Sequence, residues 1–363
     1  SVWLKSTYPF KVKINFIDEL PAQFQIRDFK YQIELHPHQK HDFTYQLRPK
    51  KRGIYEFGNL QILIISFLKL VERRYTISAQ KNVAVYPSYL QMRQFEIMAI
   101  SNKLTDIGIK KIRKIGHSSE FDQIKNYVPG DDYRHINWKA TARRGDLMIN
   151  NYIDEKSQHL YCIIDKSRVM KSPFDGLSLL DYAINATLAL SNIALIKEDK
   201  AGLITMSDTE GTIVQADRKP IHLNKILDIL YQEKTKYLEL NSEQLYLSIR
   251  KQVKQRSLLV FFTNFESLST MHRQLPYLKK IAKFHLLLVV FFENTTLKTL
   301  SDESAKDVEG IYVKTIAEKF AYEKRLMVKE LTKHGILSLL TAPQNLTVNV
   351  VNRYLAIKAR QQI

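Results

Sequence analysis

Asp165 closes the apolar run His159-Leu-Tyr-Cys-Ile-Ile-Asp165 and is followed by Lys166, Ser167, Arg168, Val169 and Met170. A carboxylate and a hydroxyl two positions apart at a strand end stand where open α/β sheets place their ligands. A hard cation such as Mg²⁺ favours oxygen donors of this kind. Asp165 and Ser167 also have a plainer use, capping the amides of a following helical turn. Upstream lies a dense second group, Pro129-Gly130-Asp131-Asp132-Tyr133-Arg134-His135-Ile136-Asn137-Trp138-Lys139-Ala140-Thr141-Ala142-Arg143. It can be a docking surface, with Arg134 and Arg143 gripping a partner's carboxylates and Trp138 as an anchor. It can equally be a structural knot. Pro129-Gly130 would then make a turn, Asp131 or Asp132 a cap, and Arg134 or Arg143 an ion pair, while Trp138 packs between domains.

Two kinds of periodicity must position these groups. From residue 8 to about 88 the chain shows short β-type runs: Phe10–Phe16, Phe24–Ile26, Tyr31–Leu35, Asp42–Leu47, Gly53–Phe57, Leu60–Ile65 and Val83–Tyr86. Alternation with turns between predicts a small antiparallel β-sandwich ending at Pro87. Leu90 to Gly116 reads as a connecting helix and then a mobile, basic loop over Gly108 to Ser119. Beyond residue 157, strands alternate with amphipathic helices, the sign of a doubly wound, mostly parallel sheet. The predicted strands are Leu160–Asp165, Ala201–Met206, Ser257–Thr263, Phe284–Phe292, Gly310–Lys314 and Ile336–Leu340. Helical stripes run from Leu179 to Leu195 and from Leu223 to Leu230, with closing helices at Ile316–Lys333 and Gln344–Ala359. The domains expected are therefore 1–88, a β-sandwich; 89–156, a linking segment with the charged group; and 157–363, an α/β domain.

Composition narrows the function. The 363 residues are 45% hydrophobic, with 55 Lys and Arg against 37 Asp and Glu, a formal charge of +18. Such a surface suits a polyanion, an acidic protein face or an anionic membrane, although the charge is scattered along the chain. Cys162, the one cysteine, lies within an apolar strand and reads as a small buried hydrophobe. No run of roughly 20 apolar residues suggests a bilayer span; Phe284–Phe292, the most apolar stretch, reads as a buried strand. The chain opens Ser1-Val-Trp3, which points to a piece of something longer. Phosphate-loop, dinucleotide, zincin and nucleophile-elbow motifs do not occur. His36, His38 and His41 cluster without an acidic or cysteine ligand at metal spacing. Asp131, Asp132 and Asp154 with Lys156 are the thin basis for a metal-dependent nuclease.

The block from Pro129 to Arg143, with Glu120-Phe121 before it, resembles the signature of a bacterial family known as domain of unknown function fifty-eight. Lys51-Arg-Gly-Ile-Tyr-Glu-Phe-Gly58 and Val83-Ala-Val-Tyr-Pro87 are similar to that family's amino-terminal region. The resemblance implies a von Willebrand factor A-like domain beginning at an Asp-x-Ser-x-Ser-Met strand end, the place of Asp165-Lys-Ser167-Arg-Val169-Met170. It implies a Mg²⁺ shell there, completed by a threonine and an aspartate from two further loops. Val169 replaces the second serine and Asn264 the aspartate, with Ser242 the counterpart of the threonine, so the site reads as weak or vestigial.

The family further implies a non-enzymatic interaction protein without a small-molecule substrate, anchored to the cell membrane by a segment absent from this chain. Its soluble part would lie on the cytoplasmic side, acting with a MoxR-type AAA+ ATPase or its client in chaperone-like or envelope-stress functions. A nucleic-acid-binding protein or metal-dependent nuclease using the basic surface is the alternative from another class.

Overall fold

The computed structural model describes residues 2–26, 29–66, 70–87, 120–153, 158–209, 211–295, 297 and 308–360. The predicted helix and loop between Leu90 and Ser119, and the positions of Asp154 and Lys156, lie outside these residues. Contacts gather the chain into two compact units, one built on residues up to 87 with 227–233, the other on the remainder.

The first unit is antiparallel β structure: β1 (Val2–Lys5), β2 (Val12–Asp18), β3 (Lys30–Leu35), β4 (Lys40–Phe43), β5 (Gly53–Phe57), β6 (Leu60–Ser66), β7 (Glu72–Ile77) and β8 (Lys81–Val85). Strands β3-β2-β6-β7 form one sheet, while β1 pairs with β4 and β5 with β8. Strict alternation in β2 turns Val12, Ile14 and Phe16 inward onto Leu35, Phe43 and Ile62. The Phe16 and Phe43 rings meet edge to face at 4.9 Å, a preferred aromatic geometry. Phe24–Ile26 is not a strand: Ala22–Phe24 forms a 3₁₀ turn that Gln25 ends at φ 57°.

The second unit begins with a hairpin of β9 (Glu120–Asn126) and β10 (Met148–Ile153), which brackets α1 (Trp138–Arg144). It continues through β11 (His159–Asp165), the short ribbon β12 (Pro173–Phe174) and β13 (Leu177–Ser178), and α2 (Leu179–Ile196). Strands β14 (Lys200–Met206) and β15 (Ile213–Asp217) precede α3 (His222–Leu230), whose residues from Leu227 on are grouped with the first unit, and α4 (Ser242–Gln252). Then come β16 (Leu258–Phe262), α5 (Leu268–Phe284), β17 (Leu286–Phe292), α6 (Val308–Lys333), β18 (Leu337–Thr341) and α7 (Leu346–Ala359). One six-stranded sheet has the order β15-β14-β11-β16-β17-β18. Every pairing in it is parallel except that of β14 with β15.

Near-continuous burial along β11, β16 and β17 follows from helices on both faces. Tyr161, Ile163, Leu259, Phe261, Leu287 and Val289 join a core with Leu245 and Ile249 of α4, Leu275 and Leu278 of α5, and Met327 and Leu331 of α6. The alternate residue Cys162 faces Thr187 and Ser191 of α2, and burial pushes its thiol up to about 12. Helix α2 starts with a capping box: Ser178 Oγ accepts from the Asp181 amide at 3.2 Å and Asp181 Oδ2 from the Ser178 amide at 2.9 Å. It is long and apolar enough to cross a membrane, which makes it, and not Phe284–Phe292, the chain's best match to a span among the described residues. In this fold it is a core helix, 67% buried.

The predicted strand Gly310–Lys314 lies within the first two turns of α6. Its β-branched and aromatic residues favour strands in general. Strand β18 nevertheless takes the place beside β17 directly, Leu288 opposite Leu337, and Ile311 and Tyr312 stand 57% and 69% exposed on the helix. Phe284 likewise ends α5 and does not open β17.

Candidate functional site at the strand edge

Strand β11 is followed in sequence by β14 and β15 on one side, and the chain then returns to lay β16, β17 and β18 on the other. The topological switch therefore falls beside β11, where such sheets bind ligands at their carboxyl ends. Asp165 is the last residue of β11, and Thr263 follows the neighbouring β16.

Parallel register brings these two side chains together. Thr263 Oγ1 donates to Asp165 Oδ2 at 2.6 Å, and the Ser167 amide donates to Asp165 Oδ1 at 2.8 Å. Asp165 is 1% exposed, Ser167 1% and Thr263 0%, so this is a buried polar knot beneath the surface. Burial raises the Asp165 pKa above the ordinary carboxylate range, with hydrogen bonds from Ser167 and Thr263 opposing that shift. Ser167 occupies the N-cap of the 3₁₀ turn Arg168–Lys171, yet its side chain makes no capping bond. The turn is held instead by the Arg168 amide on Leu238 O and the Lys166 amide on Met206 O.

Above the knot lies a cleft of about 440 Å³ whose lining includes Ser167, Val169, Ser242 and Asn264. Three of the four candidate ligand positions thus share one cavity, and Asp165 sits under it. Ser242 is the first residue of α4, whose N-cap is Asn241, accepting from the Gln244 amide at 3.1 Å. The Asn241 amide binds Ser207 O just beyond β14, which fixes that side of the cleft. On the other side Lys324 of α6 donates to Asn264 Oδ1 at 2.7 Å and to Phe265 O at 2.6 Å. Burial draws the Lys324 pKa down to about 8, with Glu266 acting in the opposite sense. The mouth carries Arg168, which reaches Glu266 at 3.2 Å and Glu239 at 3.6 Å, and Arg273, at 3.7 Å from Glu239. These pairs are half-exposed and contribute little stability, about 0–1 kcal/mol each. What they set is an alternating charge pattern around the opening.

An Mg²⁺ shell needs about six oxygens at roughly 2.0–2.1 Å. Both Asp165 oxygens are engaged by donors, Val169 brings none, and the Asn264 oxygen holds an ammonium. The donor set is therefore a poor fit to a hard divalent cation, and among the described residues no group of three His, Cys, Asp or Glu side chains could hold a metal. Thr263 and Lys324 were not evident as site residues from sequence. Thr263 follows from strand register once β16 is placed beside β11, whereas Lys324 comes from a helix about 60 residues downstream of Asn264 and left no local signal.

The charged block forms the β9–β10 hairpin's insert. Asp131 accepts from Lys125 Nζ at 3.0 Å and the Val128 amide at 3.1 Å, which hold its carboxyl below the ordinary range. Asp132 caps the 3₁₀ turn Tyr133–His135 by accepting from the Arg134 amide at 3.0 Å. Asn137 caps α1 through the Ala140 amide at 3.0 Å and reaches Asn150 at 2.8 Å. Thr141 Oγ1 accepts from the Met148 amide. The acids and amides thus do local structural work. Trp138 is 69% exposed, both Arg134 and Arg143 are exposed, and neither arginine has a carboxylate partner among the described residues. Arg134 lies 6.0 Å from the Tyr133 ring centroid.

Residues 123–295 match the family described as "Protein of unknown function DUF58". The DUF58 match includes the charged block, Asp165 and the cleft positions Ser242 and Asn264, and stops before Lys324. One curated relative is the uncharacterized protein YeaD of Bacillus subtilis (strain 168), 26% identical over 125 residues. That stretch is 34% of this chain and 30% of YeaD. Among solved structures, the conserved hypothetical protein BatB from Bacteroides thetaiotaomicron covers 56% of this chain and 100% of its own, at 13% identity and a TM-score of 0.36. An aerotolerance-related membrane protein from Bacteroides fragilis NCTC 9343 covers 54% and 98%, at 11% identity and a TM-score of 0.31.

Proposed function

We propose that this chain is a non-enzymatic protein-interaction module whose second unit has a von Willebrand factor A-like arrangement and grips its partner at the strand-edge cleft without a metal ion. The observation that carries this reading is the pairing of a cleft at the switch point with a sealed carboxylate beneath it. The strand-end carboxylate Asp165 is spent on Thr263 and Ser167, and of the acids that line the cleft Glu239 and Glu266 pair with Arg168 and Asp208 with Lys236. What lines the cleft is hydrogen-bonding surface from Ser242 and Asn264 with the acids Asp208 and Glu243, bordered by alternating Arg and Glu. Such a surface suits recognition of a polar protein loop, where complementary charge sets register. The partner class we infer from the family resemblance is a MoxR-type AAA+ ATPase or its client, met at a membrane to which a segment outside this chain would hold the protein.

The test is binding of the purified ATPase to immobilised protein, compared with Ser242→Arg and Asn264→Arg, each fold-checked by its melting temperature. The expected result is at least about a tenfold loss for both variants, equivalent to roughly 1.4 kcal/mol, and no change on adding EDTA. Undiminished binding by both variants, or binding abolished by EDTA, refutes the reading.

A further inference from the structure

The edge of the sheet opposite the cleft carries a different surface. From Gln244 to Phe292 the chain has eight Lys or Arg residues and one acid, Glu266. Where α4 and α5 end, a groove of about 370 Å³ runs between them, with an apolar floor that includes Ile249, Val253 and Ile281. Arg250, Lys254 and Arg256 line it and are exposed. None of these three has a carboxylate partner among the described residues. Phe284 adds an apolar wall that is 54% exposed. His285 lines the same groove at 8% exposure, and its Nδ1 is buried with no hydrogen-bond partner.

We propose that this groove is a docking site for an acidic, amphipathic peptide segment of a partner protein, its apolar side chains on Ile249, Val253 and Ile281 and its carboxylates over Arg250, Lys254 and Arg256. Charge complementarity points to an anionic occupant, because unneutralised cations around an apolar depression leave a field that only an anion satisfies. The floor then selects a peptide over a nucleic acid. Single-stranded nucleic acids bind basic grooves by stacking bases on open aromatic faces. Of the groove's aromatic residues, Tyr246 has Lys280 Nζ 5.6 Å from its ring centroid, which leaves Phe284 as the single open aromatic wall, short of the run of faces that successive bases need. Tyr246 is further tied by Arg250, which donates to its hydroxyl at 3.2 Å. The remaining floor is aliphatic, as an apolar side chain requires. Burial and the Arg256 charge depress the His285 pKa, so its ring is neutral at physiological pH and adds no cation to the groove.

The experiment is fluorescence anisotropy with a labelled peptide in which leucine alternates with glutamate. Its glutamate-to-glutamine form, its leucine-to-serine form and an oligothymidine strand are run alongside. The leucine-glutamate peptide is expected to bind saturably, and each altered peptide to bind about tenfold more weakly or worse. Lys254→Glu with Arg256→Glu should give a similar loss at unchanged melting temperature. Phe284→Arg adds a cation while obstructing the apolar wall, so it weakens peptide binding under this proposal but would strengthen nucleic-acid binding. Tighter binding of oligothymidine than peptide, peptide binding indifferent to both variants, or no saturable peptide binding each overturns it.

Discussion

Thr263→Val removes one hydroxyl from the knot under the cleft and changes almost nothing else in shape. The wild-type Thr263 Oγ1 donates to Asp165 Oδ2 at 2.6 Å, with both residues essentially inaccessible. A hydrogen bond to a charged group contributes about 1.5–3 kcal/mol, and an orphaned buried acceptor falls toward the upper end. The expected loss is therefore about 2–3 kcal/mol in urea unfolding followed by the far-ultraviolet helix signal, which reports chiefly on the second unit. Combined with Asp165→Asn, the double-mutant cycle should show coupling of at least about 1 kcal/mol, because the two side chains are direct partners. If Asp165 were a hydrated ligand position at an open rim, water would replace the lost hydroxyl and the cost would be small. A loss under about 0.5 kcal/mol, or a melting temperature restored by Mg²⁺, refutes the reasoning.

Three further outcomes follow from particular contacts. Asp199 is fully buried and accepts from Lys358 Nζ at 2.7 Å, from the Gln158 amide at 2.9 Å and from the Tyr354 hydroxyl. Asp199→Ala leaves the ammonium with only the Lys197 carbonyl and no counter-charge, and should cost about 3 kcal/mol in urea unfolding. Asn137→Ala removes the α1 cap and should lower stability by about 1–2 kcal/mol, whereas Trp138→Ala and Arg143→Ala, both exposed, should stay within about 0.5 kcal/mol in the same melts. His285 is held below its ordinary 6.5 by burial first and by Arg256 second. The folded protein then binds this proton less readily than the unfolded chain, so stability present above pH 6.5 declines as pH falls toward the folded value. His285→Gln should flatten that decline in thermal melts across the acidic range.

The parallel sheet was legible because its strands are runs of apolar residues punctuated by polar ends. Leu160–Asp165 and Ala201–Met206 lie within one residue of the observed β11 and β14. Strand β15 lies at the antiparallel edge with mixed burial, so its composition gives little strand signal. Helix α5 was hidden by Pro276, a residue that ordinarily interrupts a helix. Met271, Leu275, Leu278 and Ile281 nevertheless keep one buried face at helical spacing, and that packing holds the helix through the proline. The start of α6 misled for the opposite reason, since Ile311, Tyr312 and Val313 have strand-like types without a strand's place in the sheet.

At the site, local spacing located Asp165 and Ser167, and register explains why both are buried. Sequence could not reveal that Asp165 would be sealed by Thr263, because that contact depends on which strand becomes its neighbour. Lys324 is a still longer-range case, one cation from a distant helix pinning Asn264 and Phe265.

The most direct test of the central claim is hydrogen exchange of the protein with and without the purified MoxR-type ATPase, read peptide by peptide. Recognition at the strand edge predicts slowed exchange in segments holding Ser167–Lys171, Glu239–Ser242 and Asn264–Thr270, unchanged by EDTA. Protection confined to other segments, with these three exchanging as in the free protein, would contradict it.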